Sequence, residues 1–132
     1  MSQENVELAY LAIDAFNRRD LDAFLALVDP HAEFTPRLGQ VEGRSYRGLD
    51  GAREWWRDTF AIFPDFRIEI LDVRDHGAFI IGLVHVRGHG LDSGAPFDQT
   101  LWAAGEVRRG KAVWWQLFDS EADALEAAGL RE

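Results

Sequence analysis

Residues 78–107 read AFIIGLVHVRGHGLDSGAPFDQTLWAAGEV, and this segment carries the strongest indication of the architecture. Two runs rich in β-branched and aromatic residues flank the turn signal LDSG, which predicts a hairpin of two antiparallel strands. Successive residues of a strand point to opposite faces, so a turn of two or four residues brings Arg87 opposite Asp98 on one face. The same register pairs two further positions across the hairpin: His85 with Thr100, and Leu83 with Trp102.

Further strands are expected on both sides of this hairpin. The segments FRIEILDV at 66–73 and AVWWQLF at 112–118 have strand-like patterns, and the turn signals RDHG and RRGK join them to the hairpin. HAEFTPR at 31–37 predicts a short strand that Pro36 confines to an edge or a bulge. The sheet is therefore expected to be mostly antiparallel.

Helices are predicted before the strands. Asp20 is placed to cap the second helix, which Pro30 ends. Asp50 is placed to cap the third, which Pro64 stops. The first helix carries an apolar stripe at helical spacing, formed by Val6, Ala9, Tyr10, Ile13 and Phe16.

A last helix is predicted in SEADALEAAGL, with Ser120 and Asp123 forming a capping box and Gly129 marking its end. Helices grouped first and strands grouped second indicate the α+β class, with helices on one face of a curved sheet. Such a sheet leaves a pocket between its concave face and the helices. The chain of 132 residues fits a single domain, 1–132.

The composition excludes several classes of function. The chain has 23 acidic and 14 basic residues, and the net charge of -9 repels nucleic acid and anionic membrane surfaces. Cysteine is absent, which excludes disulfides, thiolate metal sites and a Cys nucleophile. No stretch approaches the roughly 18 apolar residues of a membrane span, and no signal-peptide pattern is present. We therefore expect a cytoplasmic protein that binds neither nucleic acid nor membrane.

The element order and several motifs resemble the SnoaL-like branch of the nuclear transport factor 2-like superfamily, which includes polyketide cyclases. The resemblance covers nearly the whole chain. It is specific for the fold and weak for function, because this architecture hosts isomerases, cyclases, epoxide hydrolases and proteins without catalysis. The segments that carry it are AFNRRDLDAFLALVDPHAEF, YRGLDGAREWWRDTFAIFPDFRIEI and GHGLDSGAPFDQTLWAAGEVRRGKAVWWQLFDSEADALEAAGL.

The resemblance implies a cone-like half-barrel whose N-terminal helices pack on the concave face around an apolar cavity. The family's cyclases place a His and an Asp in segments similar to GHG and FDQ, which match His89 and Asp98 here. Asp98 would then transfer the proton, while His89 and Arg87 would stabilise the developing enolate without a cofactor. The expected substrate contacts are Tyr10, Phe16, Trp56, His85, Thr100 and Trp102.

We expect Asp98 to point into an enclosed cavity, with Arg87 or a His within hydrogen-bond reach, because an ionised carboxylate among apolar neighbours is costly unless it is paired. The same register is compatible with a cross-strand ion pair at the sheet surface. The first interpretation of function is acid/base catalysis, of the cyclase or isomerase type, on an apolar compound with a carbonyl. The alternatives are a non-catalytic ligand-binding or dimerisation module and an epoxide hydrolase-like enzyme.

No metal site is expected. His85, His89 and Asp98 have the residue types of a two-His, one-carboxylate site. Residues four apart on one strand, however, stand about 13 Å apart, too far to share an ion unless the chain bends.

A homodimer is expected to form through the outer face of the sheet. Few helices are available to cover that face, and an exposed apolar patch of this size would be unusual on a monomer. The residues expected to form the patch are Phe97, Leu101, Ala103 and Val107, with one residue of each Trp pair.

Overall fold

The computed structural model describes residues 2–34 and 45–131. These residues form helices and strands in the order α1 (Ser2–Asn17), α2 (Leu21–Leu25), β1 (Glu33–Phe34), β2 (Tyr46–Arg47), α3 (Gly48–Ile62), β3 (Arg67–His76), β4 (Phe79–His89), β5 (Pro96–Arg108), β6 (Lys111–Phe118) and α4 (Glu121–Arg131). The predicted α+β class is confirmed.

The main sheet has the order β3-β4-β5-β6, and every neighbouring pair is antiparallel. Arg87 pairs with Asp98 in the register of β4 and β5, as predicted, although the connecting loop spans residues 90–95. Its even length preserves the expected pairing of faces. The other predicted pairs are also present: His85 with Thr100 and Leu83 with Trp102.

The N-terminal helices pack on the inner, concave face of the sheet around an aromatic cluster. Phe16 of α1 is completely buried and stacks on Trp55 of α3 with ring centroids 5.5 Å apart. Trp115 of β6 joins the cluster from the sheet, with its ring 3.8 Å from that of Phe34. Large rings that meet in tilted and edge-on arrangements bury much apolar surface, which fixes the helices on the sheet.

The C-terminal helix α4 packs on the opposite, outer face. Its Ala124 and Ala128 are buried against Phe79, Ile81 and Trp114 of the sheet. The small side chains of α4 let the helix lie close to the strands. One sheet therefore separates two apolar layers, and the expectation that the helices lie on one face of the sheet is wrong for α4.

The predicted outer patch is also placed differently. Leu101 and Val107 are 4% and 7% exposed, and both border the space on the inner side of the sheet, as do Phe97 and Ala103. These residues occupy odd-numbered positions of β5. That side of the strand faces the helices because apolar side chains are preferentially buried.

The predicted helix ends are partly correct. Asp20 caps α2 by accepting a hydrogen bond from the Ala23 amide at 3.1 Å. Asp50 does not cap α3, which begins at Gly48; it lies in the first turn and pairs with Arg53 instead. Gly129 lies inside α4 rather than after it.

At the start of α4, Ser120 accepts the Asp123 amide at 3.1 Å, as the capping box requires. Pro36 lies outside the described residues.

Candidate functional site

A cavity of about 460 Å³ lies between the helices and the inner face of the sheet. The floor comes from β4 and β5, where the inward positions include Gly82, Val84 and Leu101. Phe16 and Trp55 form part of the helical side. The volume falls in the range of about 300–1,000 Å³ that is typical of small-molecule sites.

The composition of β4 explains which face lines the cavity. Its even-numbered residues are all apolar or Gly, whereas its odd-numbered residues include His85, Arg87 and His89. Burying the second set would require desolvation of three ionisable groups, so the first set faces inward. A Cβ added at Gly82 would lie 3.2 Å from the Asp72 carbonyl oxygen of β3, so the glycine lets the two strands lie close beside the irregularity in β3.

Among the described residues, two buried side-chain atoms of residues that line the cavity have no hydrogen-bond partner: Thr59 Oγ1 on α3 and Trp115 Nε1 on β6. Gln99 and Gln116 also border the cavity; Gln99 is exposed to solvent and Gln116 is half-buried. The cavity lining is therefore mostly apolar.

Glu106 is the one titratable residue among the described residues that border the cavity. Alternation along β5 puts its side chain on the outer side, with Ala104. There its carboxylate, only 3% exposed, contacts Arg108 Nη2 at 2.5 Å. Glu106 is thus paired on the outer side of the sheet with Arg108, whose side chain is 65% exposed.

The structure places Asp98 on the outer face, so the expectation that it points into the cavity is wrong. Its side chain is 71% exposed, and Oδ1 lies 2.5 Å from His85 Nε2. Arg87 lies opposite Asp98 in the strand register, but the structure shows no hydrogen bond or ion pair between the two side chains. Glu69 lies 3.9 Å from the other ring nitrogen of His85. A His is thus within hydrogen-bond reach, on the opposite side of the sheet from the cavity.

His89 is separated from this pair and binds Asp65 instead. His89 Nδ1 lies 2.7 Å from Asp65 Oδ2, and the His89 amide donates to Asp65 Oδ1 at 2.8 Å. The hydrogen bond from the His89 ring lowers the pKa of Asp65, and the bond from the His89 amide adds to this effect. The predicted catalytic residues therefore do not converge on one site, and their role in catalysis stays a prediction.

The predicted substrate contacts are divided between the two faces. Phe16 lines the cavity, but the neighbouring Trp55 does so in place of Trp56, which packs against Phe24 and Phe60 in the core. Tyr10 is 49% exposed and borders a separate, polar groove at the β3 edge.

Three predicted contacts belong to the outer face. His85 and Thr100 lie opposite each other there, and Trp102 packs beside the apolar layer under α4. Sequence reasoning missed Thr59 as a cavity residue, and alternation alone left open which of Trp114 and Trp115 faces inward. The inward direction of Trp115 follows from alternation only once the burial of one face of the sheet is known.

The described residues contain no cluster of three or more His, Asp or Glu side chains placed to hold a metal ion. None of the helices that the structure describes has the length and apolar character needed to cross a membrane.

The curved antiparallel sheet with helices on its concave face defines the nuclear transport factor 2-like fold. The SnoaL-like domain family matches residues 9–115, and the chain belongs to that family. No curated protein matches the sequence significantly.

Solved structures share this fold. An NTF2-like protein of unknown function from Burkholderia pseudomallei is 21% identical, with a TM-score of 0.79 over 93% of this chain and 95% of that one. IdmH from Streptomyces antibioticus, a candidate polyketide cyclase, is 24% identical, with a TM-score of 0.72 over 94% and 97%. A candidate SnoaL-like polyketide cyclase from Jannaschia sp. CCS1 is 17% identical, with a TM-score of 0.76 over 96% and 92%.

Proposed function

We propose that this SnoaL-like protein binds an apolar small molecule in the cavity between its helices and the inner face of the sheet. The observation that carries the proposal is the cavity itself, about 460 Å³ with walls formed almost entirely by apolar side chains. Transfer of an apolar molecule from water into such a space is favourable by about 25 cal/mol per Å² of apolar surface buried.

The placement of acids and bases favours binding over acid/base catalysis. Asp98, His85 and His89 lie outside the cavity wall, and the carboxylate of Glu106 is engaged by Arg108. A general acid or base must come within about 3 Å of the proton that it transfers, or reach it through one water. A cyclase or isomerase reaction on a carbonyl compound, as the neighbouring candidate cyclases suggest, would need such a group at the cavity.

The test is titration with N-phenyl-1-naphthylamine, a neutral apolar dye whose fluorescence rises in apolar surroundings. We expect saturable binding of one dye per chain. Ala103→Phe places a large ring on the cavity floor and should reduce dye affinity at least 10-fold. Ala122→Phe makes the same chemical change at an exposed position of α4 and is the matched control.

Equal dye binding by the Ala103→Phe and Ala122→Phe variants would contradict the proposal, provided that both show the wild-type circular dichroism spectrum. Absence of saturable binding by the wild type would contradict it as well.

A further inference from the structure

We infer that the polar groove at the β3 edge is a second ligand site, which binds a small aromatic carboxylate through Arg67 and Arg87. The groove has a volume of about 270 Å³ and is bordered by α1, β3 and β4. It is distinct from the apolar cavity between the helices and the sheet. The inference therefore does not depend on the function proposed for that cavity.

Two arginines lie directly opposite each other at this groove. Arg67 of β3 and Arg87 of β4 are partners in the strand register, and both are exposed and border the groove. Side chains at such positions have Cβ atoms about 4.5–5.5 Å apart, and like charges placed there destabilise a sheet. An anion between the two guanidinium groups would remove this repulsion, and both groups are close enough to contact it.

The acidic side chains around the groove are already engaged by other bases. Asp14 accepts a bond from Arg18 Nε at 2.8 Å, and both Glu69 and Asp98 lie against His85, at 3.9 and 2.5 Å. Within the described residues, neither guanidinium group of the pair forms a hydrogen bond or an ion pair. The two positive charges therefore have no counter-charge from this part of the chain.

A third arginine adds to the positive potential where β3 begins. Arg19 is held in place by the carbonyls of Pro64 and Phe66, at 3.0 and 2.8 Å. Burial and, after it, repulsion from Arg67 lower the pKa of the Arg19 guanidinium, while attraction to Asp65 acts in the opposite direction. The chain carries a net charge of -9, so this positive region differs in sign from the molecule as a whole.

The chemistry of the groove favours an aromatic monocarboxylate. A guanidinium group matches the planar geometry of a carboxylate and binds it through two parallel hydrogen bonds. Tyr10, which is 49% exposed, and the half-buried Ile13 and Ile68 offer apolar contacts beside the arginines. Asp14 and Glu69 also border the groove and would repel a second negative charge, which disfavours phosphate.

The test is calorimetric titration of the whole protein at pH 7 with benzoate and with benzamide, which has the same ring and no charge. We expect the wild type to bind one benzoate per chain, at least about 10-fold more tightly than benzamide or inorganic phosphate. Arg67→Gln and Arg87→Gln should each weaken benzoate binding by about 10-fold, because a charge-assisted pair of bonds is lost. Arg57→Gln, at an exposed position of α3, removes the same charge outside the groove and should change the Kd by less than about 2-fold.

Absence of saturable benzoate binding by the wild type would overturn the inference. Equal losses in Arg57→Gln and the two groove variants, or phosphate binding as tight as that of benzoate, would overturn it as well. Ala103→Phe fills only the cavity and should leave the Kd for benzoate unchanged, so a loss there would place benzoate in the cavity instead. These outcomes leave the dye titration, and with it the proposed function, unaffected.

Unfolding in urea without ligand checks that the two arginines are not structural. Arg67→Gln and Arg87→Gln each remove one of two like charges and should be at least as stable as the wild type. A clear loss of stability in either variant would show that the arginine is already engaged within the chain, and the inference would fail.

Discussion

Asp98 lies beside Arg87 in the strand register, yet its carboxylate bonds to His85, which lies two residues from Arg87 along β4. Diagonal neighbours on one face of an antiparallel pair are within reach of long side chains, so register alone does not decide which pair forms. Because Asp98 is 71% exposed, water screens its interactions, and the pair contributes little to stability. An Asp at position 98 suggested a catalytic acid or base, whereas the exposure of its side chain indicates an ion pair at the surface of the sheet.

Asp98→Asn tests whether the Asp98–His85 contact is only a surface pair. We expect the free energy of unfolding in urea to change by less than about 1 kcal/mol, because exposed ion pairs are weak. Affinity for N-phenyl-1-naphthylamine should stay within about 2-fold, since Asp98 does not line the cavity. Asp92→Asn, in the exposed loop before β5, is the control. A 10-fold loss of dye affinity in Asp98→Asn alone would return Asp98 to the ligand site.

The Asp65–His89 contact predicts a pH dependence. Hydrogen bonds from His89 lower the pKa of Asp65 in the folded state below its unfolded value of about 3.9. The contact therefore stabilises the fold above about pH 4, and the contribution is lost as the pH falls through the lower, folded pKa. An NMR titration of the Asp65 carboxyl should give a higher pKa in His89→Ala than in the wild type. An identical pKa in both proteins would exclude the contact.

In the part of the chain that the structure describes, the outer edge of β3 is closed by a side chain and not by another strand. Asn17, the last residue of α1, donates from Nδ2 to the Ile68 carbonyl at 2.8 Å and accepts the Ile68 amide at Oδ1 at 3.0 Å. The side-chain amide thus reproduces the pair of bonds that a neighbouring strand would make. Arg19 adds bonds to the carbonyls of Pro64 and Phe66, at 3.0 and 2.8 Å, just before β3 begins. These contacts tie the first helix to the sheet edge.

Asn17→Ala removes both bonds of the Asn17 side chain and should reduce the free energy of unfolding in urea by about 1–3 kcal/mol. Asn5→Ala is a matched control, because Asn5 makes one exposed bond, to the Gly77 carbonyl at 3.1 Å. We expect the control to cost about 0.5 kcal/mol or less. Equal costs for the two substitutions would show that Asn17 does not close the edge.

In the whole molecule, one sheet lies between two apolar layers that differ in how completely they are filled. The inner layer is incompletely filled and leaves the cavity, whereas the outer layer is filled by the small side chains of α4. The outer layer covers Ile81 and Ala104, and farther along the same face Arg87 and Asp98 are exposed. One part of the outer face is therefore covered by α4, and the other part carries exposed charged side chains.

A homodimer through the exposed half of the outer face stays a prediction. Sedimentation velocity at micromolar concentration should give the mass of a dimer, and Arg87→Glu should shift the protein toward the monomer because it adds a negative charge beside Asp98 and Glu69. Arg53→Glu, on the exposed side of α3, adds the same charge elsewhere. A monomeric wild type, or equal dissociation by both variants, would contradict an interface at this face.

Alternation along the chain predicts the strands and the grouping of side chains into two faces, and it predicts the hairpin register for a turn of even length, because these are local properties. The cap at Asp20 is likewise predicted from the local sequence. Which face of the sheet the helices cover, and with it whether Asp98 or Trp115 borders the cavity, is set by tertiary packing. That choice depends on the summed burial of all the strands and on the return of α4 across the outer face, which pair distant parts of the chain.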